Sequence, residues 1–313
     1  MSSTARLSTI VRTPDGRALH IYGLRRTGAG VTSTGEPTQA AAKTHAVPSG
    51  SASLRTLVVL ESGLGVSGRF WGPVQRALAA STEALVLAYD RAGHGRSDPD
   101  PAPRTLQRLA DDLETVVHVV PHDRLLLVGH SWGGPIVRTL AARLAARVAP
   151  PAGVVLVDPA DENCDLYFVR STRASGVLQD LLYMPLALTG LLQPLGRAIL
   201  EGLPSADRDA AARASSTLAA ARATIAENRM FTREMRGLLS SPPDLGEAPV
   251  TIISGTSTSQ FDDRMRRLLN EAHRLSAQSL PRGHVVEADR SGHMVPITEP
   301  QLVVREIRAL LDA

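Results

Sequence analysis

One serine in this chain of 313 residues stands where its hydroxyl can serve as a nucleophile. Ser131 lies in Leu125-Leu126-Leu127-Val128-Gly129-His130-Ser131-Trp132-Gly133-Gly134. The apolar run reads as a buried strand, and the alanine-rich stretch behind the glycines reads as a helix. Gly-x-Ser-x-Gly in that setting puts the serine on a sharp, strained turn, where a side chain on either neighbour would strike the strand or the helix. Such a turn exposes the hydroxyl. It also brings the free N–H groups of the helix start close by, ready to stabilise a developing oxyanion. Alone, the pattern equally describes an ordinary glycine turn. A serine hydroxyl is a weak nucleophile near neutral pH, so the chemistry also needs a base and a group that orients the base.

The elements that would position this serine alternate along the chain. Residues 7–12 and 18–24, around Pro14-Asp15-Gly16, read as a hairpin. Residues 27–53 are rich in small and polar side chains without an apolar period, and read as a flexible surface loop. Strands at 57–60, 84–88, 125–128 and 153–157 then alternate with helices at 73–80, 105–120 and 135–148. This is the pattern of an α/β protein, a mostly parallel sheet with helices on both faces. From 161 to 247 the alternation stops, and the composition becomes helical, broken by Pro185, Pro194, Pro204, Pro242 and Pro243. An insertion of this kind lies over the ends of the sheet, so 161–247 reads as a helical cap on a body formed by 1–160 and 248–313. Strands at 250–253 and 284–287 and helices at 261–275 and 301–311 complete the body.

Three motifs in this order, Gly129 to Gly134, the turn Asp90-Arg91-Ala92-Gly93-His94-Gly95-Arg96-Ser97, and Ser291-Gly292-His293, resemble the α/β-hydrolase superfamily. The resemblance spans most of residues 5–313 and implies the α/β-hydrolase fold, with the cap inserted after the sixth strand. It also implies the serine-nucleophile, esterase- or lipase-like branch: Ser131 attacks, and His293, behind the last strand, is the base. The family's oxyanion donors fall on the amides of Leu64 and Trp132. Where the family commonly has His-Gly, this chain has Ser62-Gly63-Leu64, a departure that leaves a backbone donor in place. The acid has two candidate positions. The usual place beyond the seventh strand holds no carboxylate until Asp262 and Asp263, whereas Asp158 follows the sixth strand directly, where some members carry their acid. Asp158 is the preferred reading, because a residue fixed at a strand end holds an imidazole better than one on a longer loop, and Asp262 is the alternative.

Other polar residues read as structural. Glu61 is expected to bind a nearby amide or arginine, Asp90, Arg91, His94 and Ser97 to bond locally within their turn, and His130 to pack away from the reacting atom. Cys164 is the only cysteine, which excludes an intramolecular disulfide and a multi-cysteine metal site. No histidine pair has ligand spacing and no Gly-x-Gly-x-x-Gly follows a strand, so neither metal nor cofactor is expected. The net charge of +3 and the scattered arginines point away from nucleic acid. Charged and proline residues interrupt the apolar stretch 177–203, which argues against a membrane span, and residues 1–10 lack a signal-peptide pattern, so the cytoplasm is expected. Oligomeric state is left open.

The reading is thus a serine hydrolase that cleaves an ester, thioester, lactone or amide of a small molecule through an acyl-enzyme, without a cofactor. Apolar cap residues such as Leu178, Leu181, Leu182 and Leu186 suggest an apolar substrate, or else they pack the cap onto the body. A serine at the elbow argues against the dehalogenase and epoxide-hydrolase branches, whose nucleophile is a carboxylate. The rival readings are a slow or non-catalytic ligand-binding protein on a hydrolase scaffold, and a lyase using the same triad.

Overall fold

A computed structural model describes residues 4–27, 55–258 and 263–313. Residues 28–53 of the expected surface loop, and Asp262, lie outside the described residues. Eight strands form one sheet: β1 (Thr4–Arg12), β2 (Ala18–Arg26), β3 (Thr56–Glu61), β4 (Leu85–Tyr89), β5 (Arg124–His130), β6 (Gly153–Val157), β7 (Val250–Gly255) and β8 (Gly283–Ala288). The described helices are α1 (Gly72–Ser81), α2 (Leu106–His118), α3 (Gly133–Ala146), α4 (Arg170–Leu188), α5 (Leu192–Ile199), α6 (Ser205–Ser215), α7 (Leu218–Ser240), α8 (Asp263–Ser279), α9 (Val295–Thr298) and α10 (Pro300–Asp312).

The sheet order is β1-β2-β4-β3-β5-β6-β7-β8. The hairpin β1-β2 joins antiparallel to β4, and the remaining strands pair in parallel. Parallel strands require crossovers, and the helices that make them cover both faces, so the central strands are apolar on both sides. Alternation along β5 divides the core: Leu125 and Leu127 join the layer under α2 and α3, while Leu126 and Val128 join the layer under α1 and α10. The chemistry-bearing residues follow the ends of strands in this sheet: Ser131 after β5, Asp158 after β6 and His293 after β8.

Local sequence explains the helix ends. The Thr105 hydroxyl accepts the Arg108 N–H at 3.2 Å and starts α2, which buries Leu106, Leu109, Leu113, Val116 and Val117 on one side. Thr217 starts α7 in the same way, accepting the Ala220 N–H at 3.0 Å.

Between β6 and β7 the chain is helical and contains no strand. Breaks fall at Pro204, just ahead of α6, and at Pro242 and Pro243, just behind α7, but not at Pro185 or Pro194. Pro185 lies inside α4, whose end is set instead by Thr189-Gly190, with Gly190 at φ +75°. Pro194 is the third residue of α5, where an N–H would have had no partner within the helix in any case. No single helix among the described residues is long and apolar enough to cross a membrane.

Candidate active site

Ser131 occupies the bend between β5 and α3, with φ at +53°, the left-handed region that a non-glycine residue enters only when its surroundings force it. The forcing contacts are backbone bonds. Ser131 donates its N–H to the Val157 carbonyl at 3.1 Å, and its carbonyl accepts from Gly134 and Ala160, each at 2.9 Å. The flanking glycines are sterically required. A Cβ on Gly129 would lie 2.4 Å from the Gly133 carbonyl oxygen, one on Gly133 would lie 2.7 Å from that of Glu61, and one on Gly134 would lie 2.5 Å from Pro159 Cβ.

His293 sits in the loop between β8 and α9, its side chain 45% exposed. Its Nε2 lies 3.0 Å from Ser131 Oγ, and its Nδ1 lies 2.7 Å from Asp158 Oδ2. A carboxylate facing Nδ1 favours the tautomer with the proton on Nδ1, which leaves Nε2 free to accept from the serine hydroxyl. The histidine loop is held by neighbours remote in sequence. Ser291 Oγ donates to Glu299 at 2.6 Å, and the Ser291 carbonyl accepts from Ser257 at 2.9 Å. A Cβ on Gly255 would lie 2.1 Å from the Gly292 oxygen, so the loops after β7 and β8 are in backbone contact.

Asp158 immediately follows β6, at φ +42°, and is fully buried. Its N–H donates to Ile253 at 2.7 Å, while Oδ1 accepts from the Gly255 N–H at 2.9 Å and from Arg266 Nη1 at 2.5 Å. Burial alone would raise this carboxyl's pKa. The hydrogen bond to His293 and the charges of His293, His273 and Arg266 outweigh burial and hold it well below the usual carboxylate range. Of the other acids weighed, Asp263 pairs with Arg267 on the exposed side of α8. Asp158 is therefore the described carboxylate in contact with His293. Arg266 was invisible to sequence reasoning, since nothing in its helical neighbourhood signals a contact with a residue 108 positions away.

The loop after β3 closes the site from another side. A Cβ on Gly63 would lie 3.1 Å from Ser131 Cβ, so the backbone leading to Leu64 runs against the serine. No hydrogen bond between described residues engages the Leu64 or the Trp132 N–H. Trp132 is buried, its ring 5.0 Å from that of Phe231 on α7. Glu61 behaves as a structural carboxylate: it accepts from the Ser62 N–H at 3.1 Å and Arg91 Nη1 at 2.8 Å, and also bonds Tyr89.

Two expectations need correction. The polar residues of the turn at 90–97 do not bond only within it: Asp90 accepts from the Tyr22 hydroxyl and the Gly68 N–H, Ser97 Oγ accepts from the His20 N–H at 2.9 Å, and most of all Arg91 leaves the turn. It reaches the carbonyls of Ser62 and Gly63 at 2.5 and 2.6 Å, and Glu227 on α7. His130 packs against Phe70, as a core residue would, but its Nε2 also donates to the His293 carbonyl at 2.9 Å, and the two rings lie 4.9 Å apart. Burial first, and then the neighbouring His293, push the His130 pKa down to about 3, so this ring is neutral.

Beside Leu64, a cavity of about 480 Å³ lies between the loop after β3 and helices α4 to α6. Leu178, Leu182, Tyr183, Leu192 and Leu195 line it. Its size suits a small organic ligand, and its walls are apolar. Among the described residues no cluster of three His, Cys, Asp or Glu is arranged to hold a metal ion.

Known proteins resemble this chain in sequence and in fold. The pattern described as "Alpha/beta hydrolase family" matches residues 57–306. An AB hydrolase superfamily protein of Gibberella zeae is 26% identical over 283 residues, covering 82% of this chain and 86% of the relative. A protein of Caulobacter sp. provisionally named carbamate hydrolase RutD is 38% identical over 91 residues, 29% of this chain and 33% of the relative. An esterase from Exiguobacterium antarcticum superposes with a TM-score of 0.69 at 14% identity, covering 98% of this chain and all of that one. The epoxide hydrolase CorEH superposes at 0.66 and 16% identity, over 99% of each chain. With the sheet order and the family pattern in agreement over most of its length, the chain belongs to the alpha/beta hydrolase family.

Proposed function

We propose that this protein is a serine hydrolase that cleaves an ester-type bond (ester, thioester, lactone or amide) of a small apolar substrate through an acyl-enzyme. The observation that carries this reading is the continuous chain Ser131 Oγ, His293 and Asp158, with contacts of 3.0 and 2.7 Å. His293 Nε2 takes the hydroxyl proton as Ser131 Oγ attacks the acyl carbonyl. Asp158 holds the ring and stabilises the imidazolium that forms. The oxyanion is met by the N–H groups of Leu64 and Trp132. His293 then returns its proton to the leaving group. A water molecule deprotonated by the same nitrogen attacks the acyl-enzyme, releases the acid and regenerates Ser131. Every step uses side chains and backbone of this chain and needs no cofactor.

In this reading the helices of 161–247 act as the cap, and the cavity beside Leu64 receives the apolar part of the substrate. A related fold serves esterases and an epoxide hydrolase alike, so the reaction class rests on the site. A ligand-binding protein on the same scaffold needs no acid beside its histidine, so Asp158 at 2.7 Å from His293 favours catalysis. A fluorophosphonate probe tests the reading. Stoichiometric labelling that disappears in Ser131→Ala is expected; unlabelled wild-type protein, or labelling that survives Ser131→Ala, counts against it.

A further inference from the structure

Arg91 makes contacts that a purely structural arginine does not need. It is almost fully buried, and its nitrogens divide between two groups of acceptors. Toward the loop after β3, Nη1 donates to the Ser62 carbonyl at 2.5 Å and to Glu61 at 2.8 Å, and Nη2 donates to the Gly63 carbonyl at 2.6 Å. Toward α7, Nε donates to Glu227 Oε1 at 3.2 Å, and Nη2 lies 3.0 Å from Oε2. A planar guanidinium held on both edges in this way has no freedom to rotate.

The Gly63 carbonyl and the Leu64 N–H belong to one peptide group. In a trans peptide these two bonds point in opposite directions, so pinning the oxygen fixes the direction of the N–H. That constraint matters here because the residue before the peptide is a glycine, which offers no steric barrier to a flip. A Cβ on Gly63 would point at Ser131, while the carbonyl is tied to Arg91 at 2.6 Å and, more loosely, to the Val66 N–H at 3.4 Å. We infer that Arg91 is a positioning residue for the oxyanion hole: by holding the Ser62 and Gly63 carbonyls it keeps the Leu64 N–H directed at the reacting carbonyl. The inference rests on Ser131 being the nucleophile.

Lysine in place of Arg91 keeps a positive charge between Glu61 and Glu227 but cannot hold two carbonyls with a planar fork. The test uses a fluorophosphonate probe and, as an oxyanion mimic, 1,1,1-trifluoro-2-octanone competing with that probe. In Arg91→Lys the labelling rate should fall about 10- to 100-fold, and the ketone's inhibition constant should rise by a similar factor. Leu113→Ala, a cavity in the distant α2 core, should lower the melting temperature yet leave both readouts within threefold. Should Arg91→Lys fail to fold, Arg91→Gln/Glu61→Gln removes Glu61 together with its ion-pair partner, leaves Glu227 paired with Arg104, and should show at least the same losses. Folded Arg91 variants that keep both readouts within threefold overturn the inference. So does a loss of labelling rate without loss of ketone affinity, or an equal loss in Leu113→Ala. If wild-type protein is not labelled at all, the nucleophile assignment fails first and takes this inference with it.

Discussion

Arg266 donates to Asp158 Oδ1 at 2.5 Å, the oxygen turned away from His293, while Oδ2 faces His293 Nδ1 at 2.7 Å. The carboxylate is thus gripped on one edge by α8 and presents the other edge to the imidazole. Removing Arg266 loosens the gripped edge, so the carboxylate no longer holds the imidazole in one orientation. In Arg266→Met the labelling rate should therefore fall about tenfold. Arg266→Lys should restore part of that loss. An unchanged rate in Arg266→Met would show that the arginine only packs.

Asp158→Asn preserves shape but removes the charge that stabilises imidazolium and selects the tautomer. Its labelling rate, or kcat/KM on p-nitrophenyl esters, should fall by about 10³- to 10⁴-fold. Asp262→Asn should remain within a few-fold of wild type. The reverse ranking would move the acid to Asp262.

Ser131 holds a left-handed backbone conformation at φ +53°. Strain of this kind costs about 1 kcal/mol or more for a residue with a Cβ, and glycine relieves it. Ser131→Gly should consequently be more stable to urea than Ser131→Ala by about 1 kcal/mol, although both are inactive. Equal stabilities would mean that the turn stores no strain at this position.

Burial pushes His94 down to about 4 and His130 to about 3, from an ordinary value of 6.5. Folded, both stay neutral where the unfolded chain has already taken up protons. Their contribution to stability is complete above pH 6.5 and is lost as pH falls from there toward 4. Each such site adds up to about 1.4 kcal/mol per pH unit to the slope. Urea unfolding between pH 7 and 5 should show this loss, and His130→Gln should flatten the slope by close to one proton. An unchanged slope in His130→Gln would place the acid sensitivity elsewhere.

The cavity beside Leu64 predicts a chain-length preference. Wild-type protein should favour p-nitrophenyl octanoate over the acetate. Leu182→Trp, which fills the cavity from α4, should lower kcat/KM for the octanoate about tenfold and spare the acetate. Equal losses on both esters would argue that the chain binds outside this cavity.

What could be read from sequence follows the range of the forces involved. The strand-turn-helix at Ser131 has a local signature: an apolar run, a glycine at 129 whose Cβ would lie 2.4 Å from the Gly133 oxygen, and a helix start, all within ten residues. The alternation of strands and helices is likewise a near-neighbour pattern, and it was enough to indicate a parallel sheet covered on both faces. Of the prolines between 161 and 247, Pro204, Pro242 and Pro243 stand at helix breaks, whereas Pro185 and Pro194 lie inside helices, because a proline ends a helix only where its ring and missing N–H cannot be accommodated.

The contacts between turns were a different matter. Asp158, Asp262 and Asp263 are equivalent as residue types, and only the register of β6 against β7 puts Asp158 beside His293, 135 positions away. The grips of Arg266 on Asp158 and of Arg91 on the loop after β3 join residues 108 and 28 apart, through side chains whose local sequence signals nothing. By itself the sequence determined that Ser131 sits on a tight strand-to-helix turn, because the apolar run, the glycines and the helix start that mark it are immediate neighbours, while bonds to Val157 and Ala160 hold the turn in its final shape. Which carboxylate orients the base, and which arginines hold the turns in place, depended on how the sheet brings distant strand ends together.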